Sequence, residues 1–399
     1  MRMLFNIALH PLPWLLAVIN FYRGSKQSHT STARKRFRTA KWFLMKYGRT
    51  STYTSKNWYR KYHSYGNGII ERTTGSSGEP MKVEVNYFSN IIRHSYRLYW
   101  NKVATGKFLP AKFRLWRNRR FDKISQLKHW VNNEKFLTVF DDSENFQKTV
   151  LSNKELIEYL ESIEKSKTEV LDGYVSMLVY IAKFGLSNDR INHSIKTIVC
   201  GGETLLEEDR KILQRYFKDA IVYNRYGSTE FSIVAHQCSY QAVHDVQSLH
   251  INEDRYFVEL DDEGEIIITD YHNKAMPFWR YQTGDYATQL FTKRCVCGRY
   301  GLTISGLTGR RNILVKSSKG ILSEHYFQSI LKYIKGLIAY EIYFIRLDAF
   351  RLDYVGIEVD ENEILNKLIG FEVELNQVQK LRSMSSKRKI LYAGEDLLA

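Results

Sequence analysis

Proline and cysteine are both scarce in this chain, which has five prolines and four cysteines among its 399 residues. So few prolines leave no material for a long Pro-rich linker between domains. So few cysteines do not make the framework of a disulfide-stabilised secreted protein, and cysteines in the reduced form predict a cytoplasmic location. The chain is too long for one compact core of ordinary size, so we expect two or more domains.

Acidic residues are nearly absent from the first third of the chain. Residues 1–130 contain 26 Lys and Arg but four Asp and Glu, whereas residues 131–399 contain 33 and 39. This asymmetry favours an anionic partner, such as a nucleotide, a nucleic acid, an acidic glycan or an anionic lipid headgroup. A solvated cationic surface without any partner has the same composition, and charge alone leaves both interpretations open.

A long uninterrupted hydrophobic run is also missing. The N-terminal stretch MRMLFNIALHPLPWLLAVIN is broken by His10, Pro11 and Pro13, so no membrane-spanning helix is predicted there. The stretch has no small-residue cleavage site that would suit a signal peptide. Aromatic side chains beside Arg23 and Lys26 fit peripheral contact with the inner membrane face, but we expect this segment to pack against the rest of the protein.

The order of predicted elements indicates an α/β fold. Residues 1–65 predict basic, aromatic-rich helices, and strands then alternate with helices to about residue 235, as in a mostly parallel sheet. A second pattern starts after Gly309 and suits a small α+β domain with a basic tail. The predicted domains are a helical extension over 1–65 packed on the core, an α/β core over 66–309, and a small α+β domain over 310–399.

Three motifs suggest nucleotide chemistry. The loop TTGSSG (73–78) exposes backbone N–H groups and hydroxyls that can bond phosphate oxygens, although an ordinary turn has the same composition and the lysine of a P-loop is missing. In YNRYGSTE (223–230), Glu230 follows a strand, where α/β sheets bind ligands and where a carboxylate can hold Mg²⁺. RYQTGDYA (280–287) puts Asp285 on a tight turn, from which it could bond two ribose hydroxyls.

Together with CVCGR (295–299) and the Gly309–Arg310 pair, these motifs resemble the adenylate-forming superfamily. Within it they are similar to the phenylacetate–CoA ligase-like branch, which includes the CapK-type proteins of capsule and exopolysaccharide clusters. The resemblance covers the chain from about residue 65 to the C terminus and keeps the family's order of five motifs. It implies a large N-terminal adenylate-forming domain and a small mobile C-terminal domain that rotates between two half-reactions.

The resemblance also implies roles for individual residues. Glu230 would hold Mg²⁺, Thr229 would contact the α-phosphate, and Asp285 would bind the ribose with Arg310 nearby. Lys387, in SMSSKRKIL, would steady the transition state, although a solvated basic tail is the alternative. The loop that closes over the β- and γ-phosphates would be Thr74, Gly75, Ser76, Ser77 and Gly78. The nucleotide and acyl pocket would be bordered by Gly201, Gly202, Glu203, Asn224, Arg225, Tyr226, Gly227 and Ser228.

Two positions depart from the family pattern. Glu79 stands where the loop usually has a lysine, which Lys82 would have to replace, and Asn312 stands where the hinge usually has an acid. Both departures put the catalytic rate in question. They support a second hypothesis, in which the chain is a catalytically degenerate member that acts as a binding or scaffold protein in polysaccharide assembly.

The cysteines also form a candidate metal site. Cys238, Cys295 and Cys297 supply three thiolates, one ligand short of a closed tetrahedral zinc site. The resemblance implies His250, in HINED, as the fourth ligand, with His244 as the alternative. Such a zinc ion would be structural and would pin a hairpin to the core; three reduced structural cysteines are the other interpretation. We expect Cys200 to be a small buried hydrophobe.

The implied function is ATP-dependent activation of a carboxylate to an acyl-adenylate, followed by transfer to CoA or to a sugar or amine acceptor. The resemblance places it in capsule or exopolysaccharide biosynthesis. A nucleic-acid partner is not expected, because no nucleic-acid-binding module is recognisable. The segment LDGYVSMLVYIAKFG (171–185) is either a wall of the acyl pocket or a plain core helix. No motif encodes the identity of the acid or the oligomeric state.

Overall fold

The chain divides into two compact units. The structure, a computed structural model, describes residues 7, 11–23, 29–48, 53–73, 81–116, 127, 129–136, 153–166, 168–310, 314–331, 334, 336–356, 358–379, 381 and 391–398. The described residues up to Gly309 belong to the first unit, and those from Arg310 onward belong to the second.

The first unit contains the described helices that surround a large sheet. These helices are α1 Pro11–Arg23, α2 His29–Tyr47, α3 Lys56–Tyr62, α4 Tyr87–Thr105, α5 Asn153–Lys165, α6 Val175–Ser187, α7 Glu207–Tyr216 and α8 Ser239–His244. The described strands are β1 Ile69–Arg72, β2 Lys82–Val85, β3 Lys112–Leu115, β4 Glu134–Phe136, β5 Val170–Tyr174, β6 Thr197–Gly201, β7 Ile221–Ser228, β8 Ser232–His236, β9 Ser248–Ile251, β10 Tyr256–Leu260, β11 Glu265–Asp270, β12 Tyr281–Arg294 and β13 Tyr300–Arg310.

Eleven of these strands form one sheet, in the order β10–β11–β12–β13–β9–β8–β7–β6–β5–β3–β4. Neighbours from β4 to β7 pair in parallel, whereas β7–β8, β8–β9, β9–β13, β11–β12 and β10–β11 pair antiparallel. All residues of β5 and β6 are buried, as expected for parallel strands covered on both faces. The predicted α/β class is confirmed, with the parallel strands forming one half of this sheet.

Helix α4 has a cap at each end, and it packs along the sheet through its apolar face. The side chain of Asn86 accepts a hydrogen bond from the backbone N–H of Ser89, and Gly106 ends the helix in the left-handed conformation. Its buried residues, including Tyr96, share a cluster with Trp14 of α1. Among the described helices, none has the length and apolar character needed to cross a membrane.

The second unit is a small α+β structure with its own core. Its described elements are β14 Leu314–Ser317, β15 Gly320–Ser323, α9 Glu324–Leu331, β16 Leu337–Arg346, β17 Ala349–Gly356, α10 Glu361–Lys367, β18 Glu372–Gln377 and β19 Leu391–Tyr392. β16 and β17 form an antiparallel hairpin, which β18 and β19 extend in parallel on either side. Phe327, Ile342, Leu352 and Ile364 lie at the centre of its core.

Two local predictions differ from the structure. The run 171–185 is not one helix, because Val170–Tyr174 is a buried strand and the helix starts at Val175. The motif YNRYGSTE does lie at the C-terminal end of a strand, since β7 continues to Ser228 and Glu230 follows it. Asp285 lies within strand β12 rather than on a tight turn, next to an irregularity in the register between β11 and β12.

Glu84 on β2 fastens the segment that precedes the candidate phosphate loop. Its buried carboxylate accepts hydrogen bonds from the backbone N–H groups of Gly66 and Gly68, each at 3.0 Å, and lies 3.0 Å from His63 Nε2. Burial alone would raise the pKa of Glu84, but these three partners lower it overall. The carboxylate therefore stabilises the fold above its pKa in the unfolded chain, and this stabilisation is lost as the pH falls through the lower folded-state pKa.

Replacing Glu84 by Gln should lower the free energy of unfolding by about 1–3 kcal/mol, because the amide group would turn a donor toward an N–H that the carboxylate now satisfies. Urea unfolding at neutral pH measures this, with Asp262→Asn as a matched acid-to-amide control on the exposed turn between β10 and β11. The difference between wild type and Glu84→Gln should shrink as the pH falls below about 4. Equal stability of the two variants would contradict the assigned role.

Candidate functional site

The two ends of the candidate phosphate loop are held together as a hairpin. β1 and β2 pair antiparallel, and beyond them Thr73 bonds Met81 through the backbone at 2.9 Å and accepts the Met81 N–H on its Oγ1 at 2.8 Å. This pairing fixes where the loop leaves the sheet and returns to it. The positions that lie outside the described residues are Thr74, Gly75, Ser76, Ser77, Gly78, Glu79, Asn312 and Lys387. Their roles stay predictions.

The Y-G-S-T-E motif lies where β7 turns back into β8. Ser228 pairs with Ser232 across the turn, which leaves Glu230 at its tip with a buried side chain. Glu230 Oε1 accepts a hydrogen bond from Tyr281 OH at 3.4 Å. Ser228 Oγ is buried and has no hydrogen-bond partner in the described part of the chain. A buried hydroxyl without a partner suits a position that a ligand completes.

Asp285 and the Y-G-S-T-E motif meet although their strands are not neighbours in the sheet. Tyr226 OH, on β7, donates to Asp285 Oδ2, on β12, at 3.1 Å. Gly284 has φ +72°, and its N–H donates to Glu265 Oε1 at 2.8 Å, which fixes the backbone next to Asp285. Two side-chain hydrogen bonds, Tyr226 to Asp285 and Tyr281 to Glu230, therefore link β12 to β7 and to the turn that follows β7.

The G-G-E segment follows β6 at the carboxyl edge of the parallel strands. Glu203 accepts hydrogen bonds from the Ser176 N–H at 2.6 Å and from Ser176 Oγ at 2.9 Å, so it caps the start of α6. Gly202 has φ +76°, and a Cβ there would lie 2.7 Å from the Tyr174 ring and 3.2 Å from Trp116. Gly202 thus lets the chain pass close to two aromatic side chains that border this edge.

Asn224 and Arg225 have different tasks in β7. The backbone N–H of Asn224 donates to Gln237 Oε1 at 2.7 Å and its carbonyl accepts the Gln237 N–H at 3.1 Å, so its backbone is used by the fold. Arg225 forms a two-pronged ion pair with Asp172, Nη2 to Oδ1 at 2.7 Å and Nη1 to Oδ2 at 3.3 Å. Arg310 ends β13, and only its backbone is described.

A cluster of buried charges beside this edge was missed in the sequence. Lys112 Nζ lies 3.4 Å from Glu134 Oε1 and 3.9 Å from Asp172 Oδ2, and Arg114 Nη1 lies 3.3 Å from Glu134 Oε2. Burial alone would raise the pKa of Asp172, but Arg225, Arg114 and Lys112 lower it. The available signal was the alternation in AKFRLW, which places Lys112 and Arg114 on one face of a strand.

The four predicted zinc ligands also come together. Their ligand atoms, from Cys238, His250, Cys295 and Cys297, all lie within 4.8 Å of one another. Cys238 Sγ is 3.7 Å from Cys295 Sγ, and Cys297 Sγ is 3.5 Å from His250 Nε2. The ligands come from the start of α8, from β9 and from the turn between β12 and β13. His244, the alternative ligand, is not a member of this group of described residues.

The donor set and its spacing suit a tetrahedral zinc ion. Sulfur and nitrogen ligands at their usual distances from Zn²⁺ lie about 3.5–3.8 Å from each other. The hydrogen bond with Cys238 and that with His250, opposed by burial, lower the pKa of the Cys297 thiol to about 3. A thiolate is the form in which cysteine binds a metal.

Comparison with solved structures shows proteins whose fold is similar to that of this chain. The chain is similar to 2-hydroxyisobutyryl-CoA ligase in the postadenylation state in complex with R3-HIB-AMP, at 12% identity over 91% of this chain and 87% of that chain, with a TM-score of 0.63. A second structure of that ligase, in complex with 2-HIB-AMP and CoA in the thioesterification state, matches at 12% identity over 93% and 91%, with a TM-score of 0.56.

A third similar structure is o-succinylbenzoate CoA synthetase (MenE) from Bacillus subtilis in complex with the acyl-adenylate intermediate OSB-AMP. It matches at 13% identity over 88% of this chain and 79% of that chain, with a TM-score of 0.52. No protein-family model matches the sequence, and no curated protein matches it significantly. At these identities the similarity shows the fold.

Gly227 provides a test of the turn that carries the motif. A Cβ at this position would collide with the backbone carbonyl oxygen of Ser232. Gly227→Ala should therefore lower the free energy of unfolding by about 1–3 kcal/mol, measured by urea denaturation. Ser228→Ala, one residue along the same strand, is the control and should not lower it, because its Oγ has no partner among the described residues. Similar stabilities for both variants would contradict the tight turn.

Proposed function

We propose that this protein activates a carboxylic acid with ATP. An oxygen of the carboxylate attacks the α-phosphorus, the bond from that phosphorus to the bridging oxygen breaks, and pyrophosphate leaves as the acyl-adenylate forms. The acyl group then passes to the thiol of CoA or to a sugar or amine acceptor, as the bond from the acyl carbon to the phosphate oxygen breaks, AMP leaves and the acceptor loses a proton. The resemblance to CapK-type and phenylacetate–CoA ligase-like proteins favours capsule or exopolysaccharide assembly as the setting.

The meeting of two motifs from separate strands carries this proposal. Tyr226 on β7 donates a hydrogen bond to Asp285 on β12, and Tyr281 on β12 donates one to Glu230 in the turn that follows β7. Neither contact is needed to pair the strands, because β7 and β12 are not adjacent in the sheet. The similar structures that hold an acyl-adenylate have the same overall fold, which supports a nucleotide site at this position.

Each residue of the site has a task that its chemistry suits. The Asp285 carboxylate accepts hydrogen bonds from the two ribose hydroxyls, and Ser228 Oγ donates a hydrogen bond to the nucleotide. The buried Glu230 carboxylate suits Mg²⁺, which would neutralise charge on the phosphate oxygens. Glu203 holds the G-G-E backbone at the pocket by its bonds to Ser176. Thr74 to Gly78 bind the leaving phosphates, and Lys387 stabilises the charge that develops at the α-phosphorus.

ATP–pyrophosphate exchange across aromatic, amino and short-chain acids tests the proposal. Wild type should incorporate label with at least one acid. Glu230→Gln should lower the rate by about 100-fold or more, because it removes the charge that neutralises the cation. Ser228→Ala and Asp285→Asn should raise the KM for ATP by about tenfold each, since each loses a hydrogen bond to the nucleotide. Glu208→Gln, on the exposed face of α7, is the matched control.

Two outcomes would change the assignment. Exchange by Glu230→Gln at the wild-type rate would remove Glu230 from the magnesium site. The absence of exchange with every acid, together with no ATP binding by calorimetry, would favour the second hypothesis of a binding or scaffold protein, as the departures at Glu79 and Asn312 suggest.

We also propose that Cys238, His250, Cys295 and Cys297 bind one structural Zn²⁺. The spacing of the donor atoms supports this, and four protein ligands leave no open coordination position for catalysis. The metal would hold the turn between β12 and β13 against α8 and β9.

Metal analysis of the purified protein tests the zinc proposal. Wild type should contain about one zinc per chain, and Cys295→Ser should lose most of it and unfold at a lower temperature. Cys200→Ser is the matched control, because Cys200 is a buried cysteine of β6 outside the cluster. A zinc-free wild-type protein whose melting temperature does not respond to added zinc would refute the site.

A further inference from the structure

The charged side chains beside the G-G-E edge lie on one face of the parallel strands. Arg114 on β3 is level with Asp172 on β5, and Arg225 on β7 is level with Gly201 on β6. Arg225 reaches Asp172 across β6 because Gly201 has no side chain, and a Cβ there would lie 3.3 Å from Arg225 Nε. The glycine of the G-G-E segment therefore allows a guanidinium to occupy the carboxyl edge of the sheet.

The two guanidinium groups of this cluster are more exposed than the acids, whereas Lys112 is as buried as the acids are. The side chains of Arg114 and Arg225 are 19% and 14% exposed, whereas those of Glu134 and Asp172 are 4% and 5% exposed. The acids lie beneath the guanidinium groups and orient them, so the surface that faces a ligand is positive. The rings of Trp116 and Tyr174 lie beside it, tilted by 52° relative to each other with their centroids 4.5 Å apart.

Helix α4 adds a further cation from the other side. Arg97 lies one turn after Arg93, whose guanidinium bonds the Glu230 carbonyl and the Glu71 carboxylate. Arg97 is partly buried and makes no direct hydrogen bond within the described part of the chain. Burial lowers its pKa, whereas Glu134 and Asp172, both nearby, raise it. With Lys112, Arg114 and Arg225, it makes four cations against the two acids of the cluster.

On the basis of the function proposed above, we propose that the activated acid carries a second anionic group, which binds Arg97, Arg114 and Arg225. The excess of positive charge over Glu134 and Asp172 favours an anionic ligand, and guanidinium groups bind carboxylate or phosphate in a two-pronged geometry. The carbon chain between the two anionic groups would lie against Trp116 and Tyr174. The reacting carboxylate would then point toward Glu230 and Asp285.

Two pairs of acids, each differing in the second anionic group, test its contribution. Glutarate is compared with monomethyl glutarate, and 3-phosphoglycerate with glycerate, in ATP–pyrophosphate exchange without CoA. For at least one pair, the wild-type kcat/KM should be at least about tenfold higher for the acid that has the second anionic group. The other acid of the pair lacks the group that would accept charge-assisted hydrogen bonds from the arginines. The two pairs distinguish a second carboxylate from a phosphate.

Arg97→Gln should reduce the ratio of the two kcat/KM values toward one. The substitution leaves Glu134 and Asp172 with the cations that bond them. Arg215→Gln, on the exposed face of α7, is the matched control and should keep the wild-type preference. Exchange with equal kcat/KM for both members of each pair would overturn the inference and leave the proposed function intact. A preference that survives Arg97→Gln would overturn the assignment of Arg97. Exchange with no acid at all would refute the proposed function, and this inference with it.

Discussion

The change from parallel to antiparallel pairing at β7 shapes the region of the candidate site. β7 is parallel to β6 on one side and antiparallel to β8 on the other, so the chain must reverse direction immediately after the strand. The reversal takes only three residues, from Thr229 to Phe231, and it brings the Ser232 carbonyl against Gly227. The carboxyl ends of β5 and β6 therefore lie beside a turn whose backbone is fixed. A crevice at this edge is the kind of place in which α/β sheets bind ligands.

The buried charges beside this crevice are difficult to explain by stability alone. Removing Glu134 and Asp172 from water is costly, and their attraction to Lys112, Arg114 and Arg225 at best offsets that cost. Apolar side chains of similar volume would fill the space between α4 and the sheet equally well. What apolar residues cannot do is hold guanidinium groups at the edge of the sheet. Glu134 and Asp172 are therefore better understood as groups that position the partly exposed guanidinium groups of Arg114 and Arg225.

Local pattern was sufficient to predict much of the fold. The helix over 153–165 follows from its amphipathic period, and the chain after Gly309 restarts as an α+β unit because its strands and helices are short and self-contained. The strand Val170–Tyr174 was missed because a short apolar run followed by an apolar helix has no break in hydrophobicity. The glycine before Asp285 favours a tight turn in the sequence. In the structure this glycine marks a bulge within a strand rather than a chain reversal.

The parts that sequence could not supply are the long-range partners. Lys112 and Arg114 have the composition of an exposed strand, and only the register with β5 shows that Asp172 lies beside them. The same holds for Glu84, whose partners Gly66 and Gly68 precede a different strand. The resemblance to a family supplied His250, since the spacing of the cysteines alone left His244 as an alternative.

The cysteine cluster and the nucleotide site share strands without sharing side chains. Cys238 follows β8, the strand that pairs with the end of β7, while Cys295 and Cys297 close the hairpin of β12, the strand that carries Asp285. Gln237, next to Cys238, bonds the backbone of Asn224 on both sides, which extends the connection into β7. A metal bound by the cluster would thus restrain both strands that contribute to the Tyr226–Asp285 contact. Its influence on the site would be transmitted through backbone position, so that loss of the metal loosens the site although no ligand of the metal touches the nucleotide.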